Sequence, residues 1–150
     1  MDREKNINIY DINLIMTKIY AAVKALIENK GKYLIIEQEF NGKKYMDLPG
    51  GKVEFGESPY DTLLREVKEE VYLDIEIIKP IGMWWFFRDS NTGQVICNTF
   101  ICKAKDYTKI DLTKNPANEK IVNHYWFSKD ELLKLGKLPH ESLRKIFEMI

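Results

Sequence analysis

GGKVEFGESPYDTLLREVKEEVYL, residues 50–73, is a glycine-rich elbow feeding a stretch that carries Glu66, Glu69 and Glu70 within five residues. A helix advances about 100° per residue, so with Glu66 at 0°, Glu69 lies near −60° and Glu70 near +40°. The three carboxylates therefore share one face. Leu64, Val67 and Val71 fall on a neighbouring arc with Leu63 at its border, so the helix can bury one stripe beside the acids. Clustered carboxylates repel and raise one another's pKa unless a cation neutralises them. Oxygen-only ligands favour magnesium or manganese over zinc, which usually takes His or Cys. Together these features read as a metal-assisted phosphate site.

Ser58 is a good N-cap, Pro59 suits the first helical position, and Asp61 sits where a capping-box acid would, which predicts a helix from Pro59 to about Val71. Ahead of it, Pro49, Gly50, Gly51 and Gly56 form a loop whose backbone can approach a metal or ligand closely. On its own, REVKEE also reads as a solvated face with Arg65 and Lys68 pairing with the acids. Its coupling to Gly50, Gly51 and Glu57 favours the site.

The segment resembles the Nudix box, the signature of Nudix hydrolases. Gly51, Glu57, Arg65, Glu66, Val67, Glu69, Glu70 and Leu73 fill places of that pattern. Chance agreement at the six Gly, Glu and Arg positions is on the order of 10⁻⁷ per start site. The resemblance implies an α/β/α sandwich with a mixed sheet. It also implies metal binding by Glu66, Glu69 and Glu70 with the Gly50 carbonyl, and a Glu57–Arg65 salt bridge that orients loop and helix. The catalytic set it suggests is Glu70, Glu66 and Arg65, with Glu70 the first candidate for general base and Glu119, in a later loop, the second. The stretches MDLPGGKVEFGES from Met46 and HYWFSKDEL from His124 have a similar cast. One place departs: the family's final glycine is Tyr72. A left-handed tyrosine costs roughly 1–2 kcal/mol, so the helix is expected to end by another turn or to extend slightly.

Composition fits one soluble α/β domain over residues 1–150, with 1–17 as an N-terminal extension: the chain is 45% hydrophobic and 31% charged. Lys plus Arg equals Asp plus Glu at 23 each, so no global basic field attracts nucleic acid or acidic membrane. No signal peptide or apolar run of transmembrane length is present, which makes a cytoplasmic location the default expectation. Cys97 and Cys102 fall on opposite faces of an expected strand and cannot readily bridge. His124 and His140 read as surface or core histidines rather than ligands. The N-terminal segment and exposed aromatics leave room for a homodimer.

Strands are expected at Ile19 to Glu28 and Tyr33 to Glu39, joined by a turn at Asn29 to Lys32. A second turn at Asn41-Gly42 leads into the loop and the box helix. Ile75 to Arg88 reads as a long strand interrupted near Pro80-Ile81-Gly82, and Asn91-Thr92-Gly93 turns into a strand from Gln94 to Lys105. A polar loop from Asp106 to Lys120 precedes a strand at Ile121 to Phe127. Ser128 caps a short helix, Lys129 to Leu135, and Glu141 to Ile150 reads as a closing amphipathic helix with Leu143, Ile146, Phe147 and Ile150 on one side.

The expected reaction is Mg²⁺-dependent hydrolysis of a nucleoside diphosphate linked to another group, with Mn²⁺ able to substitute. The cluster Trp84, Trp85, Phe86 and Phe87 alternates faces, so two rings are expected to line a base pocket, Trp84 and Phe86 among the candidates. Lys52 and Arg88 are candidate phosphate contacts. Asn123 is a candidate for base recognition, with Asn118 and Tyr125 as weaker ones. The proline common in ADP-ribose pyrophosphatases beyond the box has no counterpart, Pro80 being too early. Elimination favours a MutT-like (d)NTP pyrophosphohydrolase acting on a small-molecule nucleotide and giving the monophosphate and pyrophosphate. The alternatives are an ADP-ribose or nucleotide-sugar pyrophosphatase, or a non-catalytic nucleotide-binding sensor.

Overall fold

In a computed structural model, which describes residues 17–88, 92–116, 120–134 and 136–150, seven strands and three helices are arranged in three layers. The strands are β1 (Lys18–Asn29), β2 (Lys32–Phe40), β3 (Lys43–Asp47), β4 (Gly50–Lys52), β5 (Ile75–Phe87), β6 (Gly93–Ala104) and β7 (Lys120–Ser128). The sheet runs β3-β2-β1-β6-β5, with β4 also pairing with β1 and β7 with β2. Among the described residues only β1 and β6 pair in parallel, so the sheet is mixed. The helices are α1 (Pro59–Val71), α2 (Lys129–Lys134) and α3 (Arg144–Met149).

Alternation along β1 divides the core. Val23, Ala25 and Ile27 face a cluster completed by Leu63, Val67 and Val71 of α1, whereas Ala22 and Leu26 face Leu132 of α2 and Ile146 and Phe147 of α3. The sheet is thus the middle layer of an α/β/α sandwich. Cys97 and Cys102 are both buried, free and on opposite sides of it, as their spacing requires. At the β5 edge the Ser142 hydroxyl accepts from the Trp85 N–H and donates to the Trp85 carbonyl, occupying backbone groups that would otherwise be open to pairing.

Several expectations change. The stretch after Asn41-Gly42 is not simply a loop: β3 and β4 form within it, because Lys43–Asp47 pairs with β2 and Gly50–Lys52 with β1. On α1 the fully buried stripe is Leu63, Val67 and Val71, while Leu64 is 40% exposed, so the arc is turned by about 30° from the expected one. The interruption in β5 is a pair of register shifts, at Ile77/Lys79 and Pro80/Gly82, rather than a break. The polar loop contains 3-10 turns at Tyr107–Lys109 and Leu112–Lys114, and the closing helix is a 3-10 turn at Glu141–Leu143 followed by α3. Residues 1–16, Asn91 and Leu135, which entered the expected segment boundaries, lie outside the described residues.

Tyr72 is the clearest correction. It ends α1 in the left-handed region, at φ 63° and ψ 22°, with its N–H bonded to the Lys68 carbonyl at 3.0 Å. The turn sends Leu73 and Ile75 into the α1-side core, where both are buried. Burying a leucine is worth roughly 1.5–3 kcal/mol, enough to offset the backbone cost. The Lys68 ammonium also sits 4.2 Å above the Tyr72 ring.

Candidate functional site

Helix α1 starts where the Ser58 side chain accepts from the Tyr60 N–H at 3.2 Å and where Pro59 needs no partner. That start fixes the phase of the acids. Arg65 makes a two-pronged bond to Glu57, Nε to Oε1 at 2.8 Å and Nη2 to Oε2 at 3.0 Å, and Thr62 adds a hydroxyl to Glu57 Oε2 at 2.8 Å. These bonds, the one to Arg65 first, pull the Glu57 carboxyl down to about 2. Glu57 and Arg65 thereby brace the loop against the helix. Arg65 Nη1 also reaches Glu66 at 3.0 Å and Glu69 at 3.2 Å.

Glu70 is only 1% exposed, and its Oε1 accepts the Gly50 N–H at 2.9 Å. Gly51 makes room for Glu66: a Cβ at Gly51 would stand 2.5 Å from the Glu66 carboxyl carbon. A Cβ at Gly50, whose φ is 140°, would stand 2.1 Å from the Val23 carbonyl oxygen. The two glycines thus let β4 press against both β1 and the acids.

The donor set suits a hard divalent cation, being carboxylates of Glu66, Glu69 and Glu70 beside a glycine backbone cradle. Among the described residues no three acidic or His/Cys groups converge on one point in this conformation. The hydrogen bonds supply the reason: Arg65 draws Glu66 and Glu69 outward, and the Gly50 N–H holds Glu70 inward.

Beneath Glu70 lies an ion pair that the sequence reading missed. Lys24, 5% exposed, donates to Asp47 Oδ2 at 2.6 Å and to the Leu48 carbonyl at 3.3 Å. Burial alone would lower its pKa, but Asp47 and then Glu70 hold the ammonium charged. The available signal was a lysine within the apolar run AAVKALI, since a buried cation needs a partner.

Asp47 also lies on the wall of a cleft of about 480 Å³ lined by Gln38, Phe40, Tyr45, Phe86, Arg88 and His140, among others. His140 stacks on Phe86 with ring centres 4.5 Å apart and planes 15° apart. Burial lowers its pKa, with Asp47 opposing, which favours the neutral ring. A histidine read as surface or core therefore belongs to the cleft, and no sequence spacing links it to Phe86. A second cleft, of about 350 Å³, lies between the start of α1 and β5 and includes Tyr60, Pro80, Met83 and Phe100.

Of the four consecutive aromatics, Phe86 and Phe87 line the larger cleft and Trp85 is exposed. Trp84, expected as a candidate on the base pocket, is 0% exposed, and its indole N–H donates to Thr99 Oγ1 at 2.8 Å inside the core rather than facing the cleft. Lys52 and Arg88 come together on Tyr20, with Lys52 Nζ 4.3 Å and Arg88 Cζ 5.4 Å from the ring centre. Asn123 stands apart from the cleft wall, its amide donating to the Tyr125 hydroxyl at 3.1 Å and accepting the His124 N–H at 2.8 Å. Glu119 and Asn118 lie outside the described residues.

The NUDIX domain family matches residues 17–148. A protein named ADP-ribose pyrophosphatase from Methanocaldococcus jannaschii is 33% identical over an alignment covering 69% of this chain and 71% of its own. Among solved structures, a MutT protein from Methanosarcina mazei Go1 superposes with a TM-score of 0.73 at 25% identity, covering 89% of this chain and 93% of that one. A NUDIX hydrolase from Nitrosomonas europaea gives 0.69 at 26% identity, covering 86% of each. No helix among the described residues is long and apolar enough to cross a membrane.

Proposed function

The chain belongs to the Nudix hydrolases, and from that membership we propose that it cleaves the diphosphate linkage of a small nucleoside diphosphate derivative, with ADP-ribose or a related nucleotide sugar first in order. The observation that carries this reading is the joining of the α1 glutamates, through Lys24 and Asp47, to a cleft with a stacked aromatic wall. The similarity to a protein named for ADP-ribose sets the order of substrates. Hydrolysis of a (d)NTP to monophosphate and pyrophosphate is the second reading, favoured by the MutT protein among the similar structures and by the early position of Pro80.

Glu66, Glu69, Glu70 and the Gly50 carbonyl would hold Mg²⁺ or Mn²⁺. Such an ion neutralises phosphate charge and makes a water more acidic. Glu70 is the general base, taking the proton of the attacking water on a carboxylate oxygen; Glu119 is the second candidate. Arg65 and Glu57 keep α1 in register with the glycine turn, which holds the helix bearing the three carboxylates against the elbow. Arg88 and Lys52, gathered on Tyr20, bind phosphate oxygens. Phe86 and His140 stack the base and exclude water from that end of the substrate.

The test is a panel of ADP-ribose, nucleotide sugars, dinucleoside polyphosphates and (d)NTPs with Mg²⁺ or Mn²⁺, scored by product identity. ADP-ribose is expected to give AMP and ribose 5-phosphate. Preferential release of pyrophosphate from a triphosphate would install the second reading. Tight nucleotide binding without turnover of any compound would replace both with a nucleotide-sensing role.

A further inference from the structure

We propose that Lys24 is a positioning residue for hydrolysis, its buried ammonium anchoring the turn at residues 47–50 so that the Gly50 N–H is presented to Glu70. The inference rests on the reading of Glu70 as a site residue. It concerns a strand on the far side of the turn from the box, and the geometry is continuous from one to the other.

Every residue of the turn is tied to one short piece of β1. The Lys24 side chain bonds to Asp47 at 2.6 Å and to the Leu48 carbonyl at 3.3 Å. The next residue, Ala25, donates its N–H to the Pro49 carbonyl at 2.8 Å. The Lys24 backbone is the register partner of Gly50. A Cβ on Gly50 would lie 2.9 Å from the Lys24 Cα, so contact there is already close. The Gly50 N–H then reaches Glu70 Oε1 at 2.9 Å. Side chain and backbone of one lysine thus grip the turn at both ends.

A cation inside a strand of alanine, valine, leucine and isoleucine is a costly way to stabilise a fold. Paired buried charges often contribute no more than well-packed apolar groups of the same size. What the ammonium supplies that a methionine cannot is direction: two bonds that fix the turn relative to β1. An aliphatic side chain would fill the space and leave residues 47–48 without either bond.

The test uses the full chain as Lys24→Met, Asp47→Asn, the double variant, and Leu132→Ala as a core variant in α2. Three quantities are read: Mn²⁺ affinity by spin resonance of the free ion, amide exchange at Gly50 by NMR, and kcat and KM on the best substrate of the panel. Lys24→Met is expected to speed Gly50 exchange at least tenfold, weaken Mn²⁺ about tenfold, and lower kcat about thirtyfold with KM within threefold. The double variant removes the stranded Asp47 charge and is expected to recover Tm while Gly50 exchange and Mn²⁺ affinity stay impaired. Leu132→Ala is expected to lose Tm with those two readouts unchanged. The proposal is overturned if the double variant regains wild-type Gly50 exchange along with its Tm, or if Leu132→Ala disturbs Gly50 as much as Lys24→Met does. If the wild-type protein turns over no nucleotide, the functional reading fails on that result alone, and Gly50 exchange still decides the role of Lys24.

Discussion

The glutamate site and the aromatic cleft meet at Lys24 and Asp47 yet are assembled in opposite ways. The first is drawn from one segment, Gly50 to Glu70, in which helical geometry sets the spacing of the acids and the Glu57–Arg65 brace ties the loop to the helix. The second takes Gln38 and Tyr45 from neighbouring strands, Phe86 from the far edge of the sheet and His140 from the approach to α3. A local site inherits its geometry from backbone periodicity, whereas an assembled site exists only once the sheet has closed. On the proposed function, chemistry would sit on the locally encoded element and recognition on the assembled one.

The sharpest break of that contrast is Glu70→Gln. If the local site carries the chemistry, kcat falls by about 10²-fold or more while the circular dichroism spectrum and the nucleotide Kd persist. Turnover near the wild-type rate would remove Glu70 both as ligand and as base. Next in size is Gly51→Ala. The added methyl collides with the Glu66 carboxylate, which can yield only by turning away, so activity is expected to fall about 10- to 100-fold with little loss of Tm. Unchanged activity would mean that Glu66 has a second productive rotamer.

Legibility followed the same division. The span of α1, the Glu57–Arg65 brace and the gathering of Glu66, Glu69 and Glu70 on one helix follow from offsets of three, four and eight residues, and such offsets are visible in a sequence. The strand pairings that place β4 against Lys24 are long-range, and three-residue β4 has no periodicity to detect. Trp84 and Phe86 share a parity, so alternation could not tell the ring sealed in the core from the ring on the cleft. Leu63 displaced Leu64 from the buried stripe because the sheet, not the acids, decides which way α1 faces. Tyr72 departs from expectation because burial of Leu73, which follows it, offsets the backbone penalty.

On the assembled side, His140→Ala should raise KM about tenfold for a nucleotide and leave kcat within threefold, while His140→Phe keeps the stack and most of the affinity. Equal KM for wild type and His140→Ala would separate the cleft from substrate binding. Smaller still is the acid dependence of the brace. The Glu57 carboxyl is depressed in the folded chain, so its contribution is present above its ordinary value of 4.5 and is lost as pH falls toward about 2. Glu57→Gln should flatten the loss of urea resistance across that window. An undiminished slope would assign it to other acids.

The smallest effect tests whether the local segment is as self-sufficient as its spacing suggests. Tyr72→Gly removes a left-handed tyrosine, which favours the variant by roughly 1–2 kcal/mol. It also removes the contact with Lys68, worth about 0.5–1 kcal/mol at an exposed position, and loosens the unfolded chain, which opposes the gain. These contributions nearly cancel, so stability is expected to change by no more than about 0.5 kcal/mol, with kcat unchanged because every proposed ligand precedes the turn. A larger fall in Tm would mean that the Tyr72 ring contributes more than its exposed position implies. The end of the box helix would then depend on its surface contacts rather than on backbone freedom at a single residue.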